Sequence, residues 1–139
     1  MAPTQLEEKI KSDLLKSLKH LKYSYEKVKN IDLSKKEWPE NELEVLESFS
    51  SRFARTTDIF VSRFLRLKVH EWDPAFRGTM IDLLLIAEKQ GLISSAKKWY
   101  RIRELRNAAA HEYTSDDLQV LYSEIFELTF DVLALQAQL

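Results

Sequence analysis

The sequence predicts an all-α protein: an antiparallel bundle of about five helices, forming one domain over residues 1–139. Three observations carry that expectation. Gly78 and Gly91 are the only glycines, and Pro3, Pro39 and Pro74 the only prolines, so little in the chain would interrupt a helix. Apolar residues recur at steps of three and four, the spacing of one helix face, and no segment sustains strand alternation. A hydrophobic share of 45% suffices for the core of one domain without cross-links, and there is no cysteine.

The first helix is expected from about Thr4 to Lys29. Leu6, Ile10, Leu14, Leu18, Leu21, Tyr25 and Val28 form its apolar face. Lys9, Lys11, Lys16, Lys19, Lys22 and His20 fall mostly away from that face and read as solvated surface. Asn30 to Trp38 connects to a second helix, with Pro39 suited to its first turn. That helix is expected from about Glu40 to Val69, with Leu43, Leu46, Phe49, Phe53, Phe60, Phe64 and Leu67 as its core stripe. Arg52, Arg55, Arg63 and Arg66 flank the stripe. They fit either snorkelling side chains at a helical interface or a rim that tracks phosphates. His70 lies near the helix end, where the dipole favours a cation. No His-x3-His or similar spacing suggests a histidine metal site.

Asp73-Pro74 reads as an N-cap followed by proline at the first helical position. A shorter third helix is expected over about Thr79 to Gln90, carrying Met80, Leu83, Leu84 and Ala87. Gly91 then supplies the left-handed residue after its end, with Leu92 as the hydrophobic residue behind it. Ser94 or Ser95 caps the fourth helix, and Thr114 and Ser115 cap the fifth. Asp116 and Asp117 occupy the fifth helix's first turn, where acids are favoured. Leu118, Leu121, Ile125, Leu128 and Val132 form its apolar stripe.

The formal net charge of −1 argues against non-specific binding of long nucleic acid as the main function. A local basic site remains open, because residues 97 to 106 carry five basic side chains against one acid, Glu104. The polar start MAPTQLEEKI lacks the apolar segment of a secretory signal. The longest apolar run, Leu83 to Ala87, falls far short of the ~20 residues that cross a membrane. A cytoplasmic protein with no membrane partner is the expectation.

Chemistry concentrates in Trp99 to Tyr113, WYRIRELRNAAAHEY. On a helix, Ile102, Leu105 and Ala109 share one side; Arg106, Ala110 and Tyr113 share a neighbouring stripe; Arg103, Asn107 and His111 share a third. Arg106 and His111 would point roughly 140° apart on a straight helix. One site using both needs either a bend before His111 or a second copy of the chain.

The run Arg106-Asn107-Ala108-Ala109-Ala110-His111 resembles the signature of the HEPN superfamily, an arginine followed by four to six residues and a histidine. It extends to the form Arg-x4-His-x-Tyr ending at Tyr113, typical of HepT-like toxins, and Asn107 matches the polar residue usual after the arginine. The resemblance implies a metal-independent endoribonuclease with no cofactor. Such a toxin acts as a homodimer and is often paired with a nucleotidyltransferase antitoxin. It also implies that Tyr113 can be adenylylated by that antitoxin.

Metal-independent RNA cleavage uses the ribose 2′-OH as nucleophile on the adjacent phosphate. It needs proton transfer and stabilisation of charge on phosphorus. His111 suits the acid/base role near neutral pH, and Arg106 suits the charge, with a fork of donors matched to phosphate oxygens. Asn107, four residues before His111, would support the imidazole, and Arg103 is a second supporting residue. Each residue also has a plainer reading. Arg106 could pair with an acid on a neighbouring helix, Asn107 could end the regular helix, and His111 could meet the last free carbonyls. Tyr113 could anchor the core. Two other functions are compatible with the sequence: a non-catalytic partner of a nucleotidyltransferase, and a helical interaction module.

Overall fold

The computed structural model describes residues 3–109 and 115–139. Helix α1 (Gln5–Val28) starts where the Thr4 side chain accepts a hydrogen bond from Glu7 N at 3.1 Å. Ile10, Leu14, Leu18, Leu21 and Val28 are buried along one face, as their spacing requires. Leu6 was expected on that face but is exposed. Glu7 is buried in its place and ion-paired with Lys68.

The second helix is longer than expected and is not uniform. Helix α2 (Glu40–Asp58) passes into a π-helical segment, Ile59–Leu65, and then into α3 (Arg66–Trp72). Ile59 and Arg66, at the two junctions, keep right-handed helical angles, so the three pieces form one continuous rod. Pro39 sits just outside α2 with extended angles (φ −62°, ψ 159°), so it caps the helix rather than occupying its first turn. The π segment packs through aromatic rings: Phe60 lies 5.7 Å from Phe64 and 4.7 Å from Trp99 between ring centroids.

Asp73 does not start a helix. It ends α3 at φ −137°, and its Oδ1 accepts from Ala75 N at 3.2 Å, which makes a turn. The next helix, α4 (Met80–Lys89), is capped instead by Thr79. Thr79 and Asp82 exchange side-chain-to-backbone hydrogen bonds in a reciprocal box. That box satisfies two backbone donors, whereas Asp73-Pro74 offers no equivalent. Gly91 adopts φ +76° after α4, with Gly91 N bonded to Glu88 O and Leu92 N to Ala87 O, so the expected glycine stop forms.

Helix α5 (Ala96–Ala108) is capped by Ser95, whose side chain accepts from Lys98 N. Helix α6 (Ser115–Leu133) buries Leu121, Ile125 and Val132, and a 3-10 turn, Ala134–Gln138, follows it. The expected cap at Thr114 lies outside the described residues.

Cross-helix contacts establish the directions. Glu7–Lys68, Asp13–Arg63 and Ser24–Arg52 pair α1 with the rod in reversed order, so the two run antiparallel. Lys98–Asp131 and Arg101–Glu124 show the same for α5 and α6. Phe49, Phe53, Phe60, Leu14, Leu18, Ile102 and Ile125 are fully buried at the centre. Burial of each such side chain is worth about 1.5–3 kcal/mol. The protein is an all-α helical bundle, and no described residue lies in a strand. No described helix is long and apolar enough to cross a membrane.

Candidate functional site

Helix α5 is held in place by burial of Trp99, Ile102 and Leu105. One residue beyond Ile102 and Leu105 the side chains turn about 100°, which brings Arg103 and Arg106 to the flank facing α2. Both are half-buried there, and both reach Asp58, the last residue of α2.

Asp58 receives the two arginines through a dense set of hydrogen bonds. Arg106 donates from Nε to Oδ1 at 2.8 Å and to Oδ2 at 3.0 Å, and from Nη2 to Oδ2 at 2.8 Å. Arg103 donates from Nη1 to Oδ1, also at 2.8 Å. The hydrogen bond to Asp58 raises the Arg106 pKa further, so this guanidinium stays charged at any relevant pH. A guanidinium carries five N–H donors. Asp58 engages only the Nε/Nη2 edge of Arg106. Among the described residues Nη1 makes no hydrogen bond.

Two adjoining cavities meet at Arg106. One, of about 440 Å³, runs along α2, the π segment and α5. Arg55, Arg63, Arg103 and Arg106 line it, with Asp58 as its acidic member. The other, of about 290 Å³, is bordered by Glu47, Ser50, Ser51, Ala109 and Tyr122. Tyr122 is buried and packs edge-on against Trp38 at 5.7 Å. Burial, aided by the Glu47 charge, pushes its hydroxyl pKa up, so it remains a neutral donor.

The four arginines flanking the second helix's stripe divide between the two readings open to them. Arg52 is structural: its Nη1 donates to His20 O at 3.1 Å and to Ser24 Oγ at 2.9 Å, tying the rod to α1. Arg55 and Arg63 border the larger cavity, although Arg63 also pairs with Asp13 at 3.1 Å. Arg66 does not border it. The basic run of α5 divides as well. Lys98 pairs with Asp131, and Arg101 with Glu124 and Glu104, which leaves Arg103 and Arg106 for Asp58.

Of the expected site residues, Arg103 and Arg106 are brought together on one carboxylate, although a simple wheel placed them on different stripes. Asn107 is exposed on α5, one residue before its last. His111 and Tyr113 lie outside the described residues. The group missed from the sequence is Asp58. A signal for it existed: it is the sole acid between Glu47 and Glu71, a stretch containing Arg52, Arg55, Arg63 and Arg66.

The assembly is a charged guanidinium pair beside a cleft. It suits capture of a phosphodiester: planar donors meet anionic oxygens in a partly desolvated groove. Compared with protein-family models, curated proteins and solved structures, the chain matches none.

Proposed function

We propose that this protein is a metal-independent endoribonuclease of the HEPN type, the toxin of a toxin–antitoxin pair. The observation that carries the reading is Arg106: anchored through one edge on Asp58, hydrogen-bonded to no described residue at Nη1, and bordering both cavities. It belongs to the Arg-x4-His-x-Tyr run, in which His111 transfers protons and Arg106 stabilises charge on phosphorus. Arg103 shares the phosphate, and Arg55 and Arg63 attract the flanking backbone. The 2′-OH attacks phosphorus, its proton leaves to a base, and the 5′-oxygen departs with a proton, leaving a 2′,3′-cyclic phosphate.

The working form is a homodimer with the two α5 helices close together. The wide angle between positions 106 and 111 on a straight helix motivates it, since a second chain can complete the site. The antitoxin partner is a nucleotidyltransferase that adenylylates Tyr113. The added phosphodiester would compete with RNA for Arg103 and Arg106.

The test uses purified protein on labelled RNA in excess chelator, alongside His111→Ala and an RNA carrying a single 2′-deoxy at the cleaved nucleotide. Cleavage by wild type alone, and only of the all-ribose strand, is expected. Wild-type activity in His111→Ala removes the histidine from the mechanism. Sedimentation showing a fully active monomer removes the shared site, and an inhibited protein without added mass at Tyr113 removes adenylylation. The second reading, a non-catalytic partner of a nucleotidyltransferase, is favoured by one observation: Arg103 and Arg106 already have a carboxylate partner. It requires that no RNA be cleaved by protein that binds the transferase.

A further inference from the structure

We infer that Asp58 is a positioning residue that sets the orientation of Arg106 and holds down the affinity of the groove for anions. The inference rests on the ribonuclease reading for its effect on turnover, but its effect on binding stands apart from catalysis.

Both oxygens of Asp58 accept N–H groups from the two arginines. Its contribution is geometric. An arginine free in a groove can present any edge of its fork to phosphate. With Nε and Nη2 held by Asp58, Arg106 can offer only its Nη1 end and the outer Nη2 hydrogen. The holding group is itself placed by the core. Asp58 ends α2 directly before the π segment, and Phe60 in that segment packs on Trp99 of α5, the helix that bears both arginines. Carboxylate and guanidinium are therefore registered by the same aromatic contact.

The second effect is electrostatic and has the opposite sign. Two arginines on one carboxylate form a trio of formal charge +1, set in a groove with two more arginines. Neutralising Asp58 raises the trio to +2. Binding of a polyanion should strengthen while the chemical step weakens, because the tighter-held phosphate no longer meets a fixed fork. Loss of a merely structural ion pair would reduce both.

The experiment compares wild type, Asp58→Asn, Asp58→Glu, Arg106→Lys and Asp58→Asn/Arg106→Lys. Cleavage of single-stranded RNA is measured, along with binding of an all-2′-deoxy oligonucleotide over a salt series. Asp58→Asn should bind the deoxy strand more tightly at low salt, with a salt slope steeper by about 0.7. Its kcat should fall about 100-fold without a rise in KM. Asp58→Glu keeps the charge but displaces it, so wild-type salt dependence with reduced kcat is expected. Arg106→Lys should cost far less in the Asp58→Asn background than in wild type, since the fork is already unaligned. Undiminished kcat in Asp58→Asn overturns the inference. So does weaker binding by a variant whose helical content and melting are native. If Asp58→Asn does not fold, Asp58→Glu decides: wild-type kcat there overturns the positioning role. If wild type cleaves no RNA, the ribonuclease reading fails by itself, and an unchanged salt slope in Asp58→Asn separately overturns the electrostatic role.

Discussion

Arg101 and Arg106 stand on the same helix and grip a carboxylate in the same way, through Nε and Nη2. Their surroundings make them opposites. Arg101 meets Glu124 at 2.5 and 2.6 Å, and its remaining Nη1 turns to Glu104 at 3.4 Å. One guanidinium faces two carboxylates, so that cluster carries a formal −1 and its fork is closed. At Arg106 two guanidinia face one carboxylate, the cluster carries +1, and among the described residues Nη1 of Arg106 makes no hydrogen bond. An identical pairing motif is thus a staple between α5 and α6 in one place and a candidate phosphate site in the other. The ratio of charges separates the two roles, not the ion pair itself.

The comparison breaks most sharply in turnover. Arg106→Ala should lower RNA cleavage by about 10²–10³-fold, the scale of losing a donor to developing charge. Arg101→Ala should leave cleavage within about threefold once folding is matched by circular dichroism. Arg106→Lys should remain strongly impaired, because a point charge lacks the fork. Equal losses at positions 101 and 106 in gel assays would erase the distinction.

A smaller difference is expected in binding. Arg55→Ala and Arg63→Ala should each flatten the salt slope for a single-stranded oligonucleotide by up to about 0.7, as one phosphate contact disappears. Arg101→Ala should leave the slope where it is, since its charge is already overbalanced by Glu124 and Glu104. Fluorescence anisotropy between low and moderate salt reads this directly.

Stability provides the next contrast. Glu124→Gln should cost no more than about 1 kcal/mol in urea unfolding, because the pair with Arg101 is partly exposed. A loss of several kcal/mol would mean that the staple is a main support of the fold.

The smallest effect is in pH. Hydrogen bonding from Arg101 holds the Glu124 carboxyl below its ordinary range. Its stabilisation is therefore fully present above the unfolded-state pKa of about 4.3, and is lost as pH falls through the lower folded-state value. Wild type should lose more stability than Glu124→Gln in that acid window. Parallel acid-unfolding curves would remove Glu124 from the staple.

The sequence by itself determined the helical class and most of the element boundaries. Ser95 and Gly91 act where their types and neighbours said they would, because capping and periodicity are local properties of a few adjacent residues. It also marked Arg106 as the residue to watch. Tertiary structure decided the rest. It buried Glu7 instead of Leu6, because Lys68 of α3 supplies a counter-charge at that turn. It inserted the π segment, which no periodicity in Ile59–Leu65 announced. Above all it chose partners for the arginines: Arg52 went to α1, Arg101 to α6, and Arg103 and Arg106 to Asp58. Helix caps depend on residues three or four positions away, whereas a guanidinium takes whichever carboxylate the packed helices bring within about 3 Å. Asp58 lies 48 positions before Arg106, and the packing of α5 on the rod, with Phe60 against Trp99, brings the two together.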